Sequence, residues 1–138
     1  MKLAEDEIAL FNDGLDRCVA DPKFLETFYQ RFVEGSSRVA ELFAATDMRH
    51  QEKALKASLY TAMMAADDNR PALDHLKVLG QRHRDLGIEP ELYELWLETL
   101  LAAAQESGAL TDVRAPDVWR RVLGVAIRAM QSAPADTP

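Results

Sequence analysis

The sequence predicts an all-α fold of seven or so helices. Leu, Ala, Glu, Lys and Arg dominate the composition, β-branched runs are absent, and Gly and Pro stand only where the apolar periodicity breaks. At 138 residues the chain has the length of one domain, enough to bury about two thirds of the surface its unfolded form exposes. It shows no linker and no internal repeat, so residues 1–138 are expected to form a single domain with a short frayed tail from about residue 133.

Each helix has a start, a stop and an apolar face. The first is expected from Glu5 to Ala20, with Ile8, Phe11, Leu15 and Val19 on one side. Asp21 suits an N-cap and Pro22 a first helical position, and the second helix then carries Phe24, Leu25, Phe28, Tyr29 and Phe32 to a stop at Gly35. Ser36 and Ser37 cap a short third helix ending near Leu42 and Phe43. Thr46 or Asp47 caps the fourth, from Met48 to Ala66, in which Gln51, Leu55, Leu59 and Ala62 share a face. Pro71 opens a fifth helix that aligns Leu73, Leu76, Leu79 or Gly80, and His83, so His83 points inward. Gly87 ends that helix, and Glu89 and Pro90 begin the sixth. Tyr93, Trp96, Leu97, Leu100 and Leu101 build its buried side as far as Gly108. The last helix, Pro116 to Ser132, is apolar over a wide arc from Val118 and Trp119 to Met130, and should be the most buried.

Composition excludes several classes of function. The net charge is −7, and no basic face interleaved with aromatics is present to neutralise phosphates, so no nucleic acid partner is expected. Apolar runs are too short to span a membrane, and "MKLAEDEIALF" is acidic where a signal peptide would be basic and then apolar, so a cytoplasmic protein is expected. The one cysteine, Cys18, reads as a small core hydrophobe in a reducing compartment.

Three polar residues lie on apolar faces: Tyr29, Gln51 and His83. Burying a phenol, an amide and an imidazole costs about 1–3 kcal/mol each unless a partner satisfies them. Each alone reads as a satisfied core residue. Together they describe a slot with a metal ligand on one wall and hydrogen-bond donors on another. His50, His75 and His83 show no HxxxH, HExxH or CxxC spacing, so an all-protein metal site is not expected. One histidine can still hold iron when a macrocycle supplies the other four donors, which is what haem does.

These stretches resemble a known family. From about Ile8 to Met130 the chain looks like a bacterial single-domain haemoglobin, related to the globin domain of flavohaemoglobins. "FYQRF" and "VAELF" resemble the second and third helices of that family, where Tyr29 matches the distal tyrosine and Phe43 a phenylalanine packed on the haem face. "QEKAL" is similar to the distal helix, where Gln51 matches the distal glutamine and Leu55 the apolar residue over the iron. "HRDLGIEPELY" resembles the stretch from the proximal histidine, His83, to a pocket tyrosine, Tyr93. The resemblance implies a globin fold of about seven to eight helices around a pocket for haem b, iron protoporphyrin IX. It departs from the family twice. The chain is shorter between Phe43 and Gln51 than in the flavohaemoglobin pattern, which leaves His50 as an alternative distal group; Gln51 is favoured because it shares a face with Leu55. In the last helix, "DVWRRVLG" offers Arg121 where the family places a glutamate near the proximal histidine.

On this reading His83 binds the iron, and a backbone carbonyl near Leu79 or the phenol of Tyr93 holds its other ring nitrogen. Tyr29 and Gln51 donate to a bound gas, and Phe28, Phe43, Leu55, Leu76, Ile88, Trp96 and Leu123 line the slot. Arg82 and Arg84 could pair with haem propionates or simply be solvated. The expected function is reversible binding of O₂ or another diatomic gas, NO or CO. Two alternatives stay open. One is nitric oxide dioxygenation, which needs re-reduction; the chain carries no GxGxxG or flavin-binding stretch, so a separate reductase would be a partner. The other is a haem-free helical interaction module. A homodimer is compatible with any of the three.

Overall fold

The computed structural model describes residues 2–132, and the tail expected to fray lies outside them. The described chain forms α1 (Glu5–Ala20), α2 (Phe24–Glu34), α3 (Ser37–Phe43), α4 (Met48–Ala66), α5 (Arg70–Asp85), α6 (Glu91–Glu106) and α7 (Ala115–Ser132). Among the described residues no strand occurs, and no helix is long and apolar enough to cross a membrane.

Local chemistry sets the helix ends. The side chain of Glu7 accepts from the Ala4 N–H at 3.0 Å and closes the start of α1. Asp21 does not cap α2 as expected. Its carboxylate takes the Lys23 N–H at 2.9 Å and its carbonyl the Phe24 N–H at 3.1 Å, so Asp21 and Pro22 form a turn and the helix begins at Phe24. Ser36 caps α3 through the Val39 N–H at 3.2 Å. Of the two candidates for α4 it is Asp47 that caps, accepting from Arg49 at 3.1 Å and His50 at 3.4 Å. Asn69 caps α5 through the Ala72 N–H at 2.9 Å, with Pro71 in the first turn where its missing N–H costs nothing.

α7 is the central element, packed against α1, α4, α5 and α6. Trp119, Val122 and Leu123 are fully buried on it, and the Trp119 ring meets Phe11 of α1 at 4.7 Å between centroids. Cys18 is also fully buried, as a core hydrophobe. α2 packs on α6, α3 and α4. The two helix groups meet along α4 and α6. One close crossing positions the rest: a Cβ added at Gly80 of α5 would stand 1.9 Å from the Met130 carbonyl oxygen of α7. Only a glycine lets these backbones touch, and this contact fixes the part of α5 that carries His83.

Candidate functional site

A cavity of about 440 Å³ opens where the two helix groups meet, lined by residues of α2 to α7 and mostly apolar. Its polar side chains include two pairs. From α2 and α4, the Gln51 amide donates to the Tyr29 phenol oxygen at 3.1 Å. From α5 and α6, Nδ1 of His83 lies 2.9 Å from the Tyr93 phenol oxygen.

His83 reaches the cavity because Leu76, Leu79 and His83 follow one another at helical spacing, and all three line it. α5 ends just beyond. Gly87 adopts φ of +74°, and the Ile88 N–H returns to the His83 carbonyl at 3.0 Å, closing a Schellman turn on that residue. Ile88 is thereby folded back onto the cavity wall. Arg38 of α3 ties down the same corner by donating to Glu89 at 3.0 Å and to the Gly87 carbonyl at 3.2 Å. Burial lowers the His83 pKa, so its imidazole is neutral at pH 7. On the other pair, burial pushes the Tyr29 phenol up to about 12 against a smaller opposing effect of the Gln51 hydrogen bond, so Tyr29 keeps its proton.

Of the residues singled out from sequence, Tyr29, Phe43, Gln51, Leu55, Leu76, Leu79, Arg82, His83, Ile88, Tyr93 and Trp96 all face this cavity. Five expected near the site do not. Phe28 is fully buried one layer behind, stacked on Phe32 at 5.3 Å and edge-on to Tyr29 at 4.9 Å, so it supports Tyr29 and does not line the slot. Leu123 is likewise fully buried; the cavity sits nearer the C-terminal end of α7, which contributes Ala126 and Met130. His50 is exposed, a helical step of about 100° away from Gln51. Arg84 turns to α7, donating to the Met130 carbonyl at 3.3 Å and to Gln81 at 2.9 Å. Arg121 pairs with Glu7 of α1 and belongs to that helix contact, not to the histidine's surroundings. The charge acting on Tyr93 is the Arg84 guanidinium, which draws its phenol pKa down against the larger upward effect of burial. Leu42, Thr46, Ser58 and Leu86 also line the cavity and were missed. Periodicity could have found Ser58, which falls seven residues after Gln51. The same spacing marks Leu86, seven residues after Leu79, and nothing local marks Leu42 or Thr46.

The globin family model matches residues 25–130. This chain belongs to the globin family. A flavohemoprotein of Bacillus subtilis strain 168 is 30% identical to this globin over 105 residues, which are 71% of this chain and 25% of the relative. A flavohemoprotein of Halalkalibacterium halodurans is 33% identical over 98 residues, 67% of this chain and 23% of the relative. The globin thus spans about a quarter of the length of these flavohemoproteins. A solved structure from Pseudomonas aeruginosa PAO1, described as structurally highly homologous to a human haemoglobin, superposes with a TM-score of 0.87 at 33% identity. That likeness covers 94% of this chain and 99% of the other.

Proposed function

We propose that this globin holds haem b through Nε2 of His83 and reversibly binds a diatomic gas, O₂, NO or CO, on the side of the cavity lined by Tyr29 and Gln51. The observation that carries the reading is the pairing of a neutral, tethered imidazole with a phenol and amide in one apolar cavity. The donor set fits the cofactor. Among the described residues the lining offers one imidazole and no carboxylate or thiol, which suits an iron whose other four donors a macrocycle would supply. His83 would hold the haem iron, and the iron would supply the site at which a diatomic gas binds.

The protein's part is to hold protons and exclude water. A neutral imidazole carries one N–H, and Nε2 can ligate only if that proton is on Nδ1. The tautomer required is therefore the one in which Nδ1–H donates to the Tyr93 oxygen, and that bond also fixes the ring plane. Because Gln51 donates to the Tyr29 oxygen, the phenol's own O–H is free to donate into the cavity. Such a bond to a gas carrying partial negative charge is charge-assisted. Gln51 thus acts mainly by orienting Tyr29. Leu55, Leu76 and Trp96 keep the surroundings apolar, and Arg82 is the cation available to a propionate.

The Tyr29 and Gln51 donors also suit a second reading, nitric oxide dioxygenation with electrons from a separate reductase. Repeated turnover of NO with a supplied reductase supports that reading; a single stoichiometric burst supports gas binding alone. The first test is the visible spectrum of the purified protein in its ferric, ferrous and CO-bound states. An intense Soret band is expected, and His83→Gly should shift it until free imidazole is added. A Soret band indifferent to His83→Gly overturns the ligand assignment, and failure to take up haem overturns the reading as a whole.

A further inference from the structure

A second cavity, a surface groove of about 580 Å³ between α2, α3 and α4, backs directly onto the first. The two share only Tyr29 and Phe43 among their lining residues. Their rings meet edge-on at 5.5 Å between centroids, so one pair of aromatic side chains is the partition between the groove and the cavity. We infer that this groove is the access route for a neutral diatomic gas, and that Phe43 is the ring that moves to admit it. The inference rests on the reading of the cavity as a haem pocket.

The two halves of the partition are held very differently. Tyr29 is buried, bonded to Gln51 and packed on Phe28. Phe43 is half-buried, packs on the Tyr29 and Phe32 rings without any side-chain hydrogen bond, and is the last residue of a seven-residue helix. Rotation of such a ring is a fast side-chain motion that breaks no hydrogen bond. On the groove side the floor is apolar, with Val33, Ala40 and Met48, which suits a small uncharged molecule. Its charged lining residues are Glu26, Glu34 and Glu52, all carboxylates, which disfavour anions and leave a neutral gas unaffected. The mouth of the first cavity is a poor rival. It is lined by Arg82 and by Leu86, 65% exposed, and Arg82 is the cation available to a propionate, so a haem held there would narrow this mouth.

Two bulky substitutions separate the routes. Ala44→Trp, on the exposed rim of the groove, should slow CO association after flash photolysis by several-fold and leave the visible spectrum unchanged. Leu86→Trp, at the mouth, should slow association less than Ala44→Trp does. Ala40→Phe narrows the groove from its floor and serves if Ala44→Trp fails to fold. Association indifferent to groove filling, or slowed only by Leu86→Trp, overturns the route. Xenon gives a readout that needs no haem. Methyl resonances of Val33, Ala40 and Met48 in the groove and of Leu55 in the cavity should both shift under xenon pressure, and Ala44→Trp should abolish the groove shifts. If the protein takes up no haem, the functional reading fails and xenon decides the passage: a Leu55 shift that Ala44→Trp weakens and Leu86→Trp leaves in place supports it, and a Leu55 shift indifferent to Ala44→Trp overturns it.

Discussion

Nδ1 of His83 sits 2.9 Å from the Tyr93 phenol oxygen, across the turn that joins α5 to α6. One hydrogen bond therefore orients the histidine that lines the cavity, and with Nε2 given to iron Nδ1 would be its donor. Tyr93→Phe removes the acceptor and leaves the ring in place. At about 0.5–1.5 kcal/mol for a net hydrogen bond, haem should dissociate about 2- to 12-fold faster, measured by transfer to an excess of a haem-free acceptor protein.

Tyr29 and Gln51 should not act independently. Loss of a charge-assisted bond at about 1.5–3 kcal/mol means that Tyr29→Phe should speed O₂ release by about 10- to 150-fold, with a much smaller effect on CO. Gln51→Leu should have a smaller effect of the same sign, because Gln51 donates to the Tyr29 oxygen and works through it. In the double variant the two effects should fall short of their sum, which stopped-flow O₂ release on all four proteins would read as a coupling energy.

Gly80→Ala should be costly for so small a change. Its Cβ would be 1.9 Å from the Met130 carbonyl oxygen, a backbone atom that cannot swing aside. α5 must move off α7, at about 1–3 kcal/mol by comparison with overpacked cores. Urea unfolding should show the loss of stability, and because His83 rides on the same helix, haem retention should fall with it.

The haem-free protein should lose stability in acid through His83. Its folded pKa lies below the ordinary 6.5 because burial penalises the imidazolium, so in the window between the two values the unfolded chain binds more protons. Stability from this group is fully present above 6.5 and is lost as the pH falls through the lower, folded value. Urea midpoints measured across this range should show a slope that His83→Leu removes.

Cys18 should behave in the opposite sense. Burial pushes its thiol from 9.0 up to about 11, so the folded protein binds the extra proton and stability falls as the pH rises from 9.0 through about 11. Cys18→Ala should flatten that fall. At mildly alkaline pH an aromatic disulfide reagent should modify Cys18 only at the rate of unfolding, since the side chain is fully buried and protonated.

The sequence by itself determined the helices and the faces they bury. Caps, glycine stops and a repeat of three and four residues are local properties, and they were enough to put Tyr29, Gln51 and His83 on inward faces. The errors were local too. Asp21 made a turn where a cap was expected, because the Lys23 and Phe24 N–H groups took its carboxylate and its carbonyl. Tertiary structure decided which inward residues share the cavity. Phe28 and Leu123 are as apolar and as helical in register as Phe43 and Leu76, but they lie one layer deeper, which depends on where α2 and α7 cross their neighbours. It decided the charges as well. Arg121 went to Glu7 and Arg84 to Met130 because those partners come from helices far away in sequence. The groove behind Tyr29 and Phe43 exists only as a gap between three helices, and a gap has no residue pattern of its own.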